Sequence, residues 1–393
     1  MIVRELKFGT KIGRGYAKNC IFARVLPDLA YFVVFASYCM SHFRSRIIAS
    51  GSYLPAQKVG NQDFMHNRFY TNEGTLNPKP NETIVRKLAE ISGISERRYA
   101  EGDYQTSDLA AFAAANALQS GDIDGETLDY IIVAHNFANV LMHNRQTDML
   151  PNIAARVKQA LGIRNSNCVA YDILFGCPSW VQALIQADYY LRSGDAKRAL
   201  VIGSDVLSHV LDPHDVDSML FADGAGAVVV EAVETTENIG ILSHKTVTDA
   251  VDKAHYLTMG CSRNPDLGEQ IFVKMQGPNV FKYGLETVPS AIKLCLDRAG
   301  LGIGEVDKFF IHQANERMVR GMLQKLADLC GVPTLSDDLV PYSVQFLGNS
   351  SAATIPTLYD LVAKGNLEGH SFAVGQSCVF ASVGAGMHAN CVL

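Results

Sequence analysis

Apolar positions along this chain fall into two kinds of run. Short, nearly unbroken apolar stretches recur as YIIVAH at 130–135, RALVIG at 198–203, AGAVVVE at 225–231 and KFFIHQ at 308–313. Such runs predict strands buried on both faces. Between them lie amphipathic stretches of helical period, such as the one from Pro178 to about Leu191. The alternation predicts mixed, mostly parallel sheets covered by helices. The first such strand begins near Arg46, in RIIASGSYLP. One segment breaks the pattern: about Asp63 to Thr83 is polar, holds Pro and Gly, and has no period, so it reads as a loop or flap.

The elements also repeat. ALQSGDIDGETLDYIIVAHN (117–136) parallels CLDRAGLGIGEVDKFFIHQAN (295–315), and CPSWVQALIQADYYLRSGDAKRALVIGSD (177–205) parallels NSSAATIPTLYDLVAKGNLEGHSFAVGQS (349–377). The offsets nearly agree: 312 − 135 = 177 for the histidines and 365 − 194 = 171 for the glycines. Two copies of one α/β unit are therefore expected, over 46–235 and 236–393, after a leader over 1–45. Two such copies pack about a pseudo-twofold axis, so a site between them draws residues from both.

The leader is basic, with Arg4, Lys7, Lys11, Arg14, Lys18, Arg24 and Arg44 against Glu5 and Asp28. Its apolar run, Leu29–Met40, has 12 residues, short of the roughly 20 needed to span a bilayer. It reads as disordered or as a wrongly assigned start. The 393 residues can bury one large core or two smaller ones, and the net charge of −6 gives no reason to expect nucleic acid. Nine cysteines show no C-x-x-C pair and no zinc spacing. Their odd number favours a reducing cytoplasm, with no metal and no cofactor expected.

Three residues carry candidate chemistry. Cys177 follows an apolar strand and Gly176, and precedes Pro178 at a helix start. Free N–H groups there favour a thiolate, so a lowered pKa is expected. His312 closes a strand and precedes a helix, where a neutral imidazole can exchange protons at a strand's carboxyl end. Asn349, in FLGNSSAATIP, sits in a turn before small residues that let a ligand approach. Its amide could donate to a developing oxyanion. Each also has a plain structural role open to it: buried thiol, bonded core histidine, Gly-Asn turn. DGAGAVVVE (223–231) lacks a phosphate loop's lysine and reads as a turn into a buried strand, while FASVGAGMHA (380–389) is a second small-residue loop.

Together GCPSWVQAL, DPHDVDSMLFADGAGAV, FIHQANERM and LGNSSAATIP, in that order from about Arg46 onward, resemble the beta-ketoacyl-acyl-carrier-protein synthase III group of the thiolase superfamily. The spacings 312 − 177 = 135 and 349 − 312 = 37 fit as well. The resemblance implies a duplicated thiolase fold, α/β, layered α-β-α-β-α. It implies a Cys177–His312–Asn349 triad that joins a Cys-bound acyl group to a malonyl thioester with loss of carbon dioxide. It further implies oxyanion N–H groups from Cys177 and from near Ser382. The expected partners are acyl carrier protein, acyl and malonyl thioesters, and a second copy of the chain. Leu150 and Phe221 are assigned to the substrate pocket or dimer contact. Leu150 stands where the family often has a phenylalanine reaching into the partner's pocket. Lys87 and Ile91 stand where the family often has a tryptophan and an arginine that grip coenzyme A, which favours a carrier-bound donor.

The resemblance leaves open fatty-acid initiation and a secondary-metabolite branch that forms dialkylresorcinol head groups. Two alternatives stand beside a ketosynthase: acyl transfer to an alcohol or amine, and a non-catalytic thiolase-fold partner. Fast labelling of Cys177 alone by iodoacetamide would exclude the inert partner.

Overall fold

The computed structural model describes residues 42–393. The expected leader therefore lies outside the described residues, apart from 42–45, which belong to the first strand. The first half runs β1 (His42–Tyr53), β2 (Gln57–Gly60), α1 (Asn81–Ser92), β3 (Glu96–Tyr99), α2 (Thr106–Ser120), β4 (Tyr130–His135), β5 (Asn139–Leu141), β6 (Asn144–Asp148), α3 (Ile153–Ala160), β7 (Val169–Leu174), α4 (Ser179–Ser193), β8 (Arg198–Val206) and β9 (Asp223–Thr235). The second half runs β10 (His244–Thr248), β11 (Leu257–Cys261), β12 (Ile271–Met275), α5 (Gly277–Ala299), β13 (Lys308–Ile311), α6 (Glu316–Cys330), α7 (Thr354–Ala363), β14 (Cys378–Gly384) and β15 (His388–Val392).

The duplication shows in the strand orders. One sheet reads β1-β9-β8-β4-β7 and the other β10-β15-β14-β13. The β8–β4 and β14–β13 pairs are parallel, and the β8–β9 and β14–β15 pairs antiparallel. In the first sheet β7 adds a further parallel strand beside β4. In the second half a one-turn helix, Val344–Leu347, precedes Asn349 where β7 precedes Cys177.

Each sheet is covered on both faces, which explains the unbroken apolar runs. On β4, Ile132 and Ala134 pack toward Trp180 and Leu184 of α4 and Leu358 of α7. Ile131 and Val133 pack the opposite way, against Leu109 and Ala113 of α2 and Val157 of α3. On β13, Phe310 joins the α4–α7 cluster, while Phe309 and Ile311 pack on α5 and α6. The layers are thus helix, sheet, helix pair, sheet, helix. Fully burying each large apolar side chain stabilises the fold by roughly 1.5–3 kcal/mol. Trp180 lies in the central layer, its indole N–H donating to the Val201 carbonyl at 3.3 Å.

One expectation needs correction. The repeat matched the strand RALVIG to SFAVGQS, but 371–377 is irregular and β14 begins at Cys378. Two glycines with φ of 76° and 94°, Gly369 and Gly375, turn the chain there, so the second helix–strand loop is longer than the first. The strand offsets, 308 − 130 = 178 and 378 − 198 = 180, agree better than the residue offsets did. The segment at 63–83, expected as a loop or flap, is a pinned loop that leads into α1. Phe64 and Phe69 are buried, and the Tyr70 N–H donates to the His214 carbonyl at 2.9 Å.

Candidate active site

Cys177 is placed by a turn that admits only a glycine before it. Gly176 has φ 67°, and a Cβ there would lie 2.7 Å from the backbone nitrogen of Ala385. Pro178 caps α4 in helical geometry, φ −73° and ψ 0°, so the thiol sits just before the helix's N-cap. The Ser351 hydroxyl donates to Cys177 Sγ at 3.1 Å. Cys177 is partly buried and lines a cavity. Burial pushes its pKa up to about 11, with the Asp205 carboxylate adding to the rise. The Ser351 hydroxyl and a backbone N–H pull the other way but are outweighed. The lowered pKa expected from the helix start is therefore not found: desolvation outweighs the hydrogen bonds to the sulfur.

His312 follows β13 directly, its N–H donating to the Ala381 carbonyl at 2.9 Å. Burial alone lowers its pKa to about 4, which keeps the ring neutral near pH 7. Its Nδ1 has no hydrogen-bond partner among the described residues. Asn349 is held through its backbone, donating to the Leu220 carbonyl at 3.0 Å and accepting from the Ala222 N–H at 2.9 Å. Asn349 Oδ1 accepts from the Ser351 N–H at 2.9 Å, which fixes the oxygen end of the amide. Ser351 thus joins the Asn349 turn to Cys177.

The cavity beside Cys177 has a volume of about 300 Å³. Its wall is mostly apolar: Phe137, Leu207, Phe221, Leu257, Met259 and Val273, with Asn136, Ser351 and His388 as polar members. The β11–β12 pair supplies one side and is tied down by Lys274, which ion-pairs with Asp212 and Asp215. Phe221 is a buried wall residue bridged to Asn349. Leu150 lies outside the cavity and is 86% exposed. His312 and Asn349 are buried and do not line it. Ser382 is fully buried on β14 opposite Asn390. The backbone against Cys177 comes instead from two residues further on: a Cβ on Gly384 would meet the Cys177 nitrogen at 2.6 Å. Sequence reasoning missed Ser351, Asn136, Asp205 and His388. Position offered a signal for Asn136 and Asp205, which lie at the carboxyl ends of β4 and β8, the edge where sites form in such sheets.

Residues 171–250 match the family described as 3-Oxoacyl-[acyl-carrier-protein (ACP)] synthase III, and residues 296–393 match its C-terminal domain family. A beta-ketoacyl-[acyl-carrier-protein] synthase III of Neisseria meningitidis is 32% identical over 358 residues, 89% of this chain and 98% of that protein. The chain belongs to the synthase III family. As a synthase III family member it is an acyl-transferring condensing enzyme, a ketosynthase of thiolase fold. The Thermus thermophilus synthase III structure superposes with TM-score 0.70 at 30% identity, covering 88% of this chain and 98% of that one. A priming beta-ketosynthase from the R1128 polyketide pathway gives TM-score 0.73 at 26% identity, covering 90% and 97%. Among the described residues no helix is long and apolar enough to cross a membrane, and no group of His, Cys, Asp and Glu could hold a metal ion.

Proposed function

We propose that Cys177 is the nucleophile of a two-step decarboxylative condensation, with His312 and Asn349 as donors to the second substrate. The observation that carries this is the placement of Cys177: immediately before the N-cap of α4, on the wall of an apolar cavity, bonded to the segment that holds Asn349. In the first step Cys177 sulfur attacks an acyl thioester. A new S–C bond forms, the donor's C–S bond breaks, and the donor thiol leaves with the proton Cys177 gives up. In the second step a malonyl thioester loses carbon dioxide, and the C–C bond pair becomes a carbanion whose enolate oxygen is held by His312 and Asn349. The carbanion attacks the acyl carbon, and Cys177 leaves and regains a proton. A neutral imidazole and an amide NH2 suit this step, because decarboxylation needs hydrogen-bond donors rather than a strong base. Cys177 N–H and, from the loop pressed against it, Ala385 N–H take the tetrahedral oxyanion in this reading, in place of Ser382.

The donor is a carrier-bound acyl group. Lys87 and Ile91, both exposed on α1, present no ring on which an adenine could stack. The working unit is a homodimer in the cytoplasm. β7 is an edge strand with Val169 and Leu174 exposed on it, and Met142, Met149 and Leu150 are exposed as well. The odd cysteine count supports the reducing compartment.

Intact-protein mass tests the chemistry, with wild type beside Cys177→Ala against a panel of acyl carrier proteins and coenzyme A thioesters. One acyl mass on wild type alone is expected, largest with a carrier-bound donor. No gain with any donor would sink the covalent route. With a malonyl carrier added, a linear β-ketoacyl product marks chain initiation, and a cyclised one marks the dialkylresorcinol-type branch.

A further inference from the structure

Burial and the Asp205 carboxylate disfavour charge on Cys177, yet the proposed chemistry needs a sulfur anion. We propose that Ser351, aimed by Asn136 and Asp205, is the hydrogen-bond donor that stabilises the Cys177 thiolate as it attacks. The inference rests on Cys177 as the nucleophile.

The direction of each bond can be worked out from the chemistry of its partners. A carboxylate at Asp205 only accepts. It takes the Asn136 backbone N–H on Oδ1 at 2.8 Å, and on Oδ2 the Asn136 Nδ2 at 2.7 Å and the Ala352 N–H at 3.1 Å. The nitrogen end of the Asn136 amide is thereby fixed toward Asp205. The same Nδ2 lies 2.8 Å from Ser351 Oγ, so its second hydrogen goes to that oxygen. Ser351 Oγ is then an acceptor toward Asn136, and its single proton is left for Cys177 Sγ, 3.1 Å away.

The rest of Ser351 is equally constrained. Its φ is +51°, the left-handed region that non-glycine residues seldom occupy, and its N–H is held by Asn349 Oδ1. A strained residue held from three sides keeps its hydroxyl pointed at one atom. A donor to sulfur stabilises the anion over the thiol, opposing the burial that raises the thiol's pKa. Other titratable groups around the site do not supply this. Asp205, from β8, acts against the anion by its charge. His135, from β4, is bonded to Asp172 and attracts Asp205. His388, on β15, lines the cavity, where burial lowers its pKa. His312, after β13, is neutral.

The test is the pH dependence of Cys177 alkylation by iodoacetamide, followed by intact mass with peptide mapping, in wild type, Ser351→Ala, Asn136→Ala and the double variant. In that reaction the S–C bond forms, iodide leaves with the C–I pair, and the thiol proton goes to buffer. For Ser351→Ala the midpoint should move to higher pH by roughly one unit, and the rate near neutral pH should fall about tenfold. Asn136→Ala should move it the same way by less, and should add nothing on top of Ser351→Ala. A folded Ser351→Ala protein with an unmoved midpoint, or strictly additive effects, would overturn the inference. If Ser351→Ala does not fold, Asn136→Ala decides alone: a raised midpoint supports the relay and an unmoved one overturns it. Wild-type Cys177 that takes no label at any pH would instead bring down the nucleophile assignment itself.

Discussion

Cys177 and His312 were both legible as reactive residue types at strand ends, but the protonation of the thiol was not. Burial pushes the thiol up to about 11 and the imidazole down to about 4, so both rest in their neutral forms. For His312 the linkage has a definite sign. Its folded-state pKa lies below the ordinary 6.5, so its contribution to stability is full above about pH 6.5 and is lost as pH falls toward 4. The stability difference between wild type and His312→Gln should therefore shrink or change sign on acidification, by as much as about 3 kcal/mol. Denaturant melts at pH 7 and pH 4.5 measure it. The difference between the two proteins is the right quantity, because Asp205, raised to about 6, works in the opposite direction over an overlapping range. At Asn349, replacement by Asp keeps the oxygen that Ser351 uses but removes the NH2. Acyl-Cys177 should still form in the mass assay, while release of carbon dioxide from a malonyl carrier should fall at least about 100-fold.

At the scale of elements, the strand–Gly–Cys–Pro–helix segment was readable because each residue meets a local backbone demand. What the turn touches was not readable, since Ala385 is over two hundred residues away. Gly176→Ala forces a side chain into φ 67° and against the Ala385 backbone. The left-handed conformation alone costs about 1–2 kcal/mol, and the clash adds to it. A lowered melting temperature together with loss of acyl transfer is expected; a variant that melts and acylates like wild type would contradict this packing. The β11–β12 pair gave no functional signal in the sequence, yet it walls the cavity. Lys274→Met leaves buried Asp212 without its cation and should destabilise the protein by about 3 kcal/mol. Urea titration checks that, and acyl transfer should slow as the wall loosens.

For the whole molecule, the repeat was visible as a near-constant residue offset, and the five layers follow from two copies that each need both sheet faces covered. The missing seventh-strand counterpart in the second half and the longer 364–377 loop were hidden. Neither alters the apolar period in which the repeat is visible. Leu150 was singled out as a pocket or dimer residue, and it stands exposed beyond the cavity. In the proposed homodimer, Leu150→Asp should shift light scattering from dimer toward monomer without lowering the monomer's helical content. A wild-type monomer would refute that assembly.

The sequence alone determined the period of the main buried strands and the helices between them, the duplication, and the order of Cys177, His312 and Asn349, because periodicity and turn chemistry act between near neighbours. Only the tertiary structure decided which of these residues faces the cavity, how burial sets their charge, and that Ser351 lies on the sulfur. Solvation and hydrogen-bond direction depend on which distant segments exclude water from a group, and that is fixed when the two halves pack together.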